Sequence, residues 1–385
     1  MKPIYLDHNA TTPVLPQVAL AMSNVLLAGP ANPASQHQWG RRARQQIEDA
    51  REAIGRLLGA QVERFDGDRL IFTSGGTEAN NLAILGLVGE PPGHIIASAI
   101  EHPSVGGALD QLADRGFVVD RLPVDRNGVV DLDRLDDLIR PDTRLVSVML
   151  GNNETGVLQP VAELAQRCSS RGILVHTDAV QVAGKIPLDF NALGVAAMTV
   201  AAHKLHGPVG IGGLVVRRGV ECRPMLKGGF QQAGLRPGTE SVGLAVGFEV
   251  AMQLWHQERE ERQTRLTTLR DRLEGLLRAE LPNIVVHGVG ATRLPHTSNI
   301  AFPGIDRQAF LMALDLAGVG CSTGSACASG SSEPSPVLLA MGVDRPLVDG
   351  SLRFSCGAQT TLAEIDEAAE RITRIYRDLR TKNRS

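Results

Sequence analysis

The sequence predicts an α/β protein, with a large, doubly wound, mainly parallel sheet domain followed by a smaller α+β domain. Three observations carry this. Between residues 69 and 216, short apolar runs alternate with helix-length stretches, the pattern of repeated strand–helix units. Several of those runs are apolar throughout rather than alternating, as strands covered on both faces are. The chain of 385 residues is long enough for more than one hydrophobic core.

The opening Ile4-Tyr5-Leu6 is short and extended, so it must pack against something far along the chain. A polar turn, Asp7-His8-Asn9-Ala10-Thr11-Thr12-Pro13, follows it. Ser35 is expected to cap a helix whose apolar positions Trp39, Ala43, Ile47, Ala50, Ile54, Leu57 and Leu58 keep helical spacing up to Gly59. Strands are expected at 70–73, 94–99, 117–122, 145–150, 173–177, 198–201 and 212–216. Residues 254–281 form a long amphipathic helix with Leu266, Leu269, Leu273, Leu276 and Leu277 on one face. Its run Glu258-Arg259-Glu260-Glu261-Arg262 reads as a solvated face. Strands at 297–302 and 352–355 and a helix at 307–317 build the smaller domain. Thr361 and Glu364 make a capping box for a last helix carrying Leu362, Ile365, Ile372, Ile375 and Leu379. The division is therefore 14–255 for the large domain, and 1–13 with 256–385 for the small one. The stretch 324–336 is small and polar throughout and reads as a flexible loop.

The net charge of −3 gives no electrostatic reason to expect nucleic acid or an anionic membrane as main partner. Nothing approaches a signal peptide or a membrane span. Five cysteines, at 168, 222, 321, 327 and 356, are too few and scattered for a disulfide framework and lack metal-site spacing. A reduced cytoplasmic protein without a resident metal is the expectation.

The chemistry concentrates where strands end. Lys204 follows the apolar run that ends at Ala201-Ala202-His203, and Asp178 and Gln181 follow another. Open α/β sheets bind ligands at such exits. A lysine beside an aspartate there suggests a Schiff-base lysine and a partner for a pyridinium nitrogen, that is, pyridoxal phosphate. Taken singly, Asp178 could equally be a helix cap, and Gln181 a surface residue that could otherwise reach the cofactor's ring hydroxyl. Ser74-Gly75-Gly76-Thr77 opens a helix after a strand, where backbone N–H groups bind phosphate well. No G-x-G-x-x-G stands in this turn, which argues against a dinucleotide. Glu101-His102 follows a third strand; the imidazole could stack on a flat ring and shuttle protons, or be structural. Asn153 follows a fourth. The convergence of five exits, more than any one of them, makes the case.

These residues resemble cysteine desulfurases of the NifS/IscS type, fold-type I pyridoxal phosphate enzymes of the class-V aminotransferase group. The resemblance runs from the N-terminal turn to the last helix. Its most specific pieces are Thr73 to Asn80, Glu101-His102, Asn152-Asn153-Glu154, His176 to Gln181, His203-Lys204, Arg236-Pro237-Gly238-Thr239 and Gly324-Ser325-Ala326-Cys327. It implies that Lys204 holds the cofactor, Asp178 pairs with its ring nitrogen and His102 stacks on the ring. Gly76, Thr77, Ala201, Ala202 and His203 would surround the phosphate, with Thr239 reaching in from the second subunit of a homodimer. Asn153 and Gln181 would face the cofactor oxygen and the substrate, and Arg353 would clamp the substrate carboxylate. Cys327 would be the nucleophile that takes sulfur from L-cysteine as a persulfide, releases alanine and passes the sulfur to an acceptor protein. That acceptor would be an iron–sulfur scaffold or a tRNA-thiolation enzyme, and Cys327 could ligate a cluster transiently during transfer. A selenocysteine lyase, or another class-V aminotransferase or lyase, is the alternative. Two departures stand out: Ala201 occupies a position where a phosphate-binding serine is frequent, and Phe230-Gln231-Gln232-Ala233 replaces a more usual run before Arg236.

Overall fold

The computed structural model describes residues 2–30, 32–64, 66–324 and 333–382. The chain starts with β1 (Ile4–Tyr5), α1 (Pro16–Leu27) and α2 (Gln38–Leu57). The cap of α2 is His37, whose ring accepts from the Gly40 N–H at 3.2 Å, not Ser35. Ser35 instead crosses over Gly40, where a side chain would lie 2.2 Å from its carbonyl oxygen. Only a glycine permits that crossing.

The strand–helix alternation then runs β2 (Arg69–Thr73), α3 (Gly76–Leu87), β3 (His94–Ser98), α4 (Pro103–Asp114), β4 (Val118–Leu122), α5 (Leu132–Leu138) and β5 (Thr143–Ser147). It continues with α6 (Val161–Ser169), β6 (Leu174–Asp178), α7 (Phe190–Leu193), β7 (Ala197–Ala201) and β8 (Gly212–Val216). These form one seven-stranded sheet in the order β2-β8-β7-β6-β5-β3-β4. β8 is antiparallel to both its neighbours, and the other pairings are parallel. It follows that β2, β3, β5, β6 and β7 all end at the same edge. The apolar run at 145–150 divides: its first part is β5, and Val148 and Leu150 continue as the exit, bonding to the carbonyls of His176 and Asp178 at 3.1 and 2.9 Å.

After the sheet, α8 (Val242–Glu280) is 39 residues long and starts well before the expected 254. Gly243 and Gly247 weaken the helical signal of its first turns but allow close packing on α1. A Cβ on Gly247 would sit 2.7 Å from the Met22 side chain. The first half of α8 buries Val242, Phe248, Met252 and Trp255, while Leu266, Leu269, Leu273 and Leu277 enter a second core. Arg262 does not belong to a solvated face: it is 6% exposed and pairs with Glu258 at 2.6 Å.

The second core is closed by β9 (Val285–Val286), β10 (Thr297–Ala301), α9 (Arg307–Leu316) and β11 (Val319–Gly320); α10 (Pro336–Ala340) and α11 (Arg345–Asp349) then pack in a small separate cluster with Ile100, and β12 (Ser351–Ser355) and α12 (Leu362–Lys382) complete the core. β1 pairs in parallel with β11, so the N-terminus belongs to this core through Ile4 and Leu6. The capping box of α12 is formed, with Thr361 and Glu364 bonded reciprocally. Among the described residues no helix is long and apolar enough to cross a membrane.

Candidate active site

Lys204 ends a single 3₁₀ turn that leaves β7. Its Nζ donates to the carbonyls of Asn9 and Ala10 at 2.6 and 2.8 Å. The N-terminal turn is thus laid across the strand exits. Thr12 fastens it, its hydroxyl donating to the His203 carbonyl at 2.8 Å and accepting from the His206 N–H at 2.6 Å.

Asn9 is the centre of this arrangement. Its carbonyl also accepts from Gln181 Nε2 at 3.1 Å, and its Nδ2 donates to the Asn153 carbonyl at 3.1 Å and to Thr297 Oγ1 at 3.0 Å. One buried residue therefore meets the exit of β5 with its side chain and the exits of β6 and β7 with its main-chain carbonyl. Asn9 lies in the N-terminal motif that the sequence offers, but its neighbours there give no sign of a role.

Asp178 ends β6. Its Oδ1 accepts from the Val180 N–H at 2.9 Å, so it does cap the following turn, and its Oδ2 accepts from Asn80 Nδ2 at 2.6 Å. Asn80 Nδ2 also donates to Ser104 Oγ at 2.8 Å, and that oxygen lies 2.7 Å from His102 Nδ1. A hydrogen-bonded line thus joins Asp178 to His102. The Ser104 N–H donates to His102 Nδ1 at 3.1 Å, which makes Nδ1 the acceptor and leaves the ring proton on Nε2. Burial, helped by the nearby Lys204 and opposed by Asp178, lowers the His102 pKa, so the ring is neutral at ordinary pH. Asn80 and Ser104 complete the line although no strand exit or motif singles them out.

Glu101, beside His102, is buried. Its Oε1 accepts from Ser98 Oγ at 2.5 Å and from the Met149 N–H at 2.8 Å, tying the ends of β3 and β5 together. Burial pushes its pKa up to about 8, with Asp178 adding to the shift.

Gly76 opens α3 at the same edge. A Cβ there would lie 3.0 Å from Val180 and 3.8 Å from the Ala201 methyl, so the helix end abuts the exits of β6 and β7. Thr77 is exposed; Ala201 and Ala202 are buried. His203 approaches Thr11 Oγ1 at 3.2 Å, and burial with Lys204 and Lys185 nearby lowers its pKa to about 4. Glu78 holds the Ser74 N–H at 2.7 Å and pairs with Arg236 at 2.8 Å, fastening the Arg236–Thr239 loop beside the helix end. Thr239 itself is exposed. Gln232, in the departing run, holds the edge strand β2 through the N–H and carbonyl of Phe72 at 2.7 and 2.8 Å.

Arg353, on β12, is 1% exposed. Its guanidinium donates to Asp7 Oδ1 at 2.6 Å, to the Asn153 carbonyl at 2.9 Å and to the Gly324 carbonyl at 3.3 Å. The expected carboxylate clamp is therefore partly engaged by Asp7. Arg353 Nε is buried without a partner among the described residues. The two ends of the stretch around 327 meet the same exits: Ser335 Oγ donates to the buried Glu154 at 2.6 Å, and a Cβ on Gly324 would stand 2.9 Å from that carboxylate. Cys327 itself lies outside the described residues. Burial pushes the other thiols up, Cys168 and Cys222 to about 11, Cys356 to about 12, and Cys321 upward too. All four are protonated and poorly nucleophilic.

The donor set fits pyridoxal phosphate. The carboxylate of Asp178, an amine on a neighbouring exit and a helix N-terminus share one edge. Gln181 Oε1 is buried and has no partner among the described residues, as a side chain awaiting a ligand would.

The chain is similar to known proteins over nearly its whole length. Residues 4–368 match the class-V aminotransferase family. A cysteine desulfurase of Trichormus azollae is 43% identical over 99% of this chain and 94% of its own length. The cysteine desulfurase NifS of Azotobacter vinelandii is 40% identical with the same coverage. The crystal structure of a NifS-like protein from Rickettsia africae superposes with a TM-score of 0.89 at 34% identity, covering 97% of this chain and 99% of that one. The chain belongs to the class-V aminotransferase family, among its pyridoxal phosphate-dependent cysteine desulfurases of fold type I.

Proposed function

We propose that this enzyme removes sulfur from L-cysteine by dividing the work between Lys204 and Cys327. Bound pyridoxal phosphate supplies an electron sink for the substrate Cα. Lys204, which would carry the cofactor, is the base that takes the Cα proton once it is released. Asp178 would keep the ring nitrogen protonated, and His102, held in its Nε2–H form by the line through Asn80 and Ser104, would stack on the ring. Gly76, Thr77 and the backbone at Ala201, Ala202 and His203 would bind the phosphate, Asn153 and Gln181 would meet the ring oxygen, and Arg353 would receive the substrate carboxylate. Cys327, as thiolate, attacks the substrate sulfur; the Cβ–S bond breaks, alanine leaves and a persulfide stays on the enzyme.

The observation that carries this reading is the position of Arg353. One guanidinium touches both Asn153, at a strand exit, and Gly324, three residues before Cys327. The cysteine-bearing stretch therefore begins against the cofactor edge of the sheet. An active homodimer, with Thr239 serving the neighbouring site, accords with the apolar side chains left exposed on one chain: Leu26 at 72%, Leu27 at 82% and Phe230 at 85%. The cores support units of 14–255 and of 1–13 with 256–385. The acceptor would be an iron–sulfur scaffold or a thiolation enzyme, and the setting the cytoplasm.

The test follows alanine and sulfide from L-cysteine in wild type, Cys327→Ala and Lys204→Ala. Wild type is expected to release alanine, and both variants to lose turnover. Unchanged turnover in Cys327→Ala would remove the persulfide step.

A further inference from the structure

We propose that Lys185 is a positioning residue for Lys204, holding the carbonyl of the cofactor lysine from the interior and placing a like charge near its amine. The inference rests on Lys204 carrying the cofactor. Lys185 follows the β6 exit and is 3% exposed, and its Nζ donates to the Lys204 carbonyl at 2.5 Å. The approach depends on Gly184, which has φ +78° and where a Cβ would stand 2.4 Å from Leu205, the residue after Lys204.

The groups around Lys185 come from every packed element, and they are basic. His8 belongs to the N-terminal turn, His203 and His206 to the chain on either side of Lys204, Arg262 to α8, and His296 to the approach to β10; all act electrostatically with Lys185. The rings of His8 and His206 are 5.8 Å apart. Of the carboxylates nearby, Glu258 is paired with Arg262, and Glu364 acts on His8. The histidines are neutral: burial first depresses all four, with Lys185 next for His8, His206 and His296 and after Lys204 for His203. Lys185 itself is brought down to about 7, by burial and then by Arg262 and Lys204. Positive charge on Lys185 therefore opposes positive charge on Lys204, which favours the neutral, nucleophilic form of its amine.

The test uses holoenzyme of wild type, Lys185→Met and Lys185→Gln. It titrates the absorbance of the lysine-bound cofactor against pH and measures cofactor retention on dialysis. Losing the like charge should raise the titration midpoint by about half a unit or more in both variants. Lys185→Gln, which keeps a donor, should retain the cofactor as wild type does, and Lys185→Met should lose it several-fold faster. A residue that only fills space would lower the melting temperature and leave the midpoint where it was, and that result overturns the proposal. If Lys185→Met does not fold, the midpoint of Lys185→Gln decides. Borohydride reduction of wild type tests the underlying assignment separately: cofactor mass on a peptide other than that of Lys204 would remove both.

Discussion

Lys204 and Asn9, almost two hundred positions apart in sequence, are bound directly: the lysine Nζ donates to the asparagine carbonyl at 2.6 Å, and Gln181 shares that acceptor. The N-terminal turn is therefore a wall of the candidate active site. It is held there by the Asn9 side chain, by Thr12 and by the pairing of β1 with β11.

Asn9→Ala removes two buried hydrogen bonds, to the Asn153 carbonyl and to Thr297. The expected loss is about 1–3 kcal/mol of stability. Turnover of L-cysteine should fall at least several-fold, because the wall around Lys204 loosens. Thermal melting and alanine release measure the two effects.

Ser104→Ala cuts the line between Asp178 and His102. The lowered pKa of His102 means that its neutral form persists to below the ordinary histidine range. Any step that needs neutral His102 should therefore fail only on the acid side, below the ordinary histidine range. Asp178 favours the charged ring, so Asp178→Asn should move that acid limb to still lower pH. The pH profile of single-turnover alanine formation shows the limb.

Glu101 gives a prediction for stability. Its folded pKa of about 8 lies above the ordinary carboxyl value of 4.5, so the folded state binds the proton more tightly than the unfolded one between those values. Stability must fall as pH rises through that window. Glu101→Gln keeps an oxygen acceptor without the ionisation. Between pH 5 and 9 it should lose less stability than wild type, by on the order of a few kcal/mol. Denaturant melts at both pH values give the comparison.

The strands were legible because buried parallel strands write their burial into continuous apolar runs, and the five exits followed from where those runs stop. Side chains whose meaning lies in a distant partner were not. Asn80 and Ser104 are ordinary helix-end residues until Asp178 and His102 stand on either side of them. Arg262 sits in a run of charges and reads as solvated, yet it is buried and paired with Glu258. The start of α8 was hidden by Gly243 and Gly247, which lower helix propensity, and at Gly247 close contact with α1 leaves no room for a side chain. His37 displaced Ser35 as a cap for a similar reason, since Gly40 determines how near the chain can cross.

The central claim is that sulfur from cysteine rests on Cys327 before it leaves the enzyme. The direct measurement is the mass of the peptide containing Cys327 after a single turnover with stoichiometric L-cysteine and rapid alkylation. One added sulfur atom on that peptide, matched by one alanine released and absent in Lys204→Ala, is the predicted result. Alanine released in equal amount with the added sulfur on another cysteine, or on none, would contradict the account.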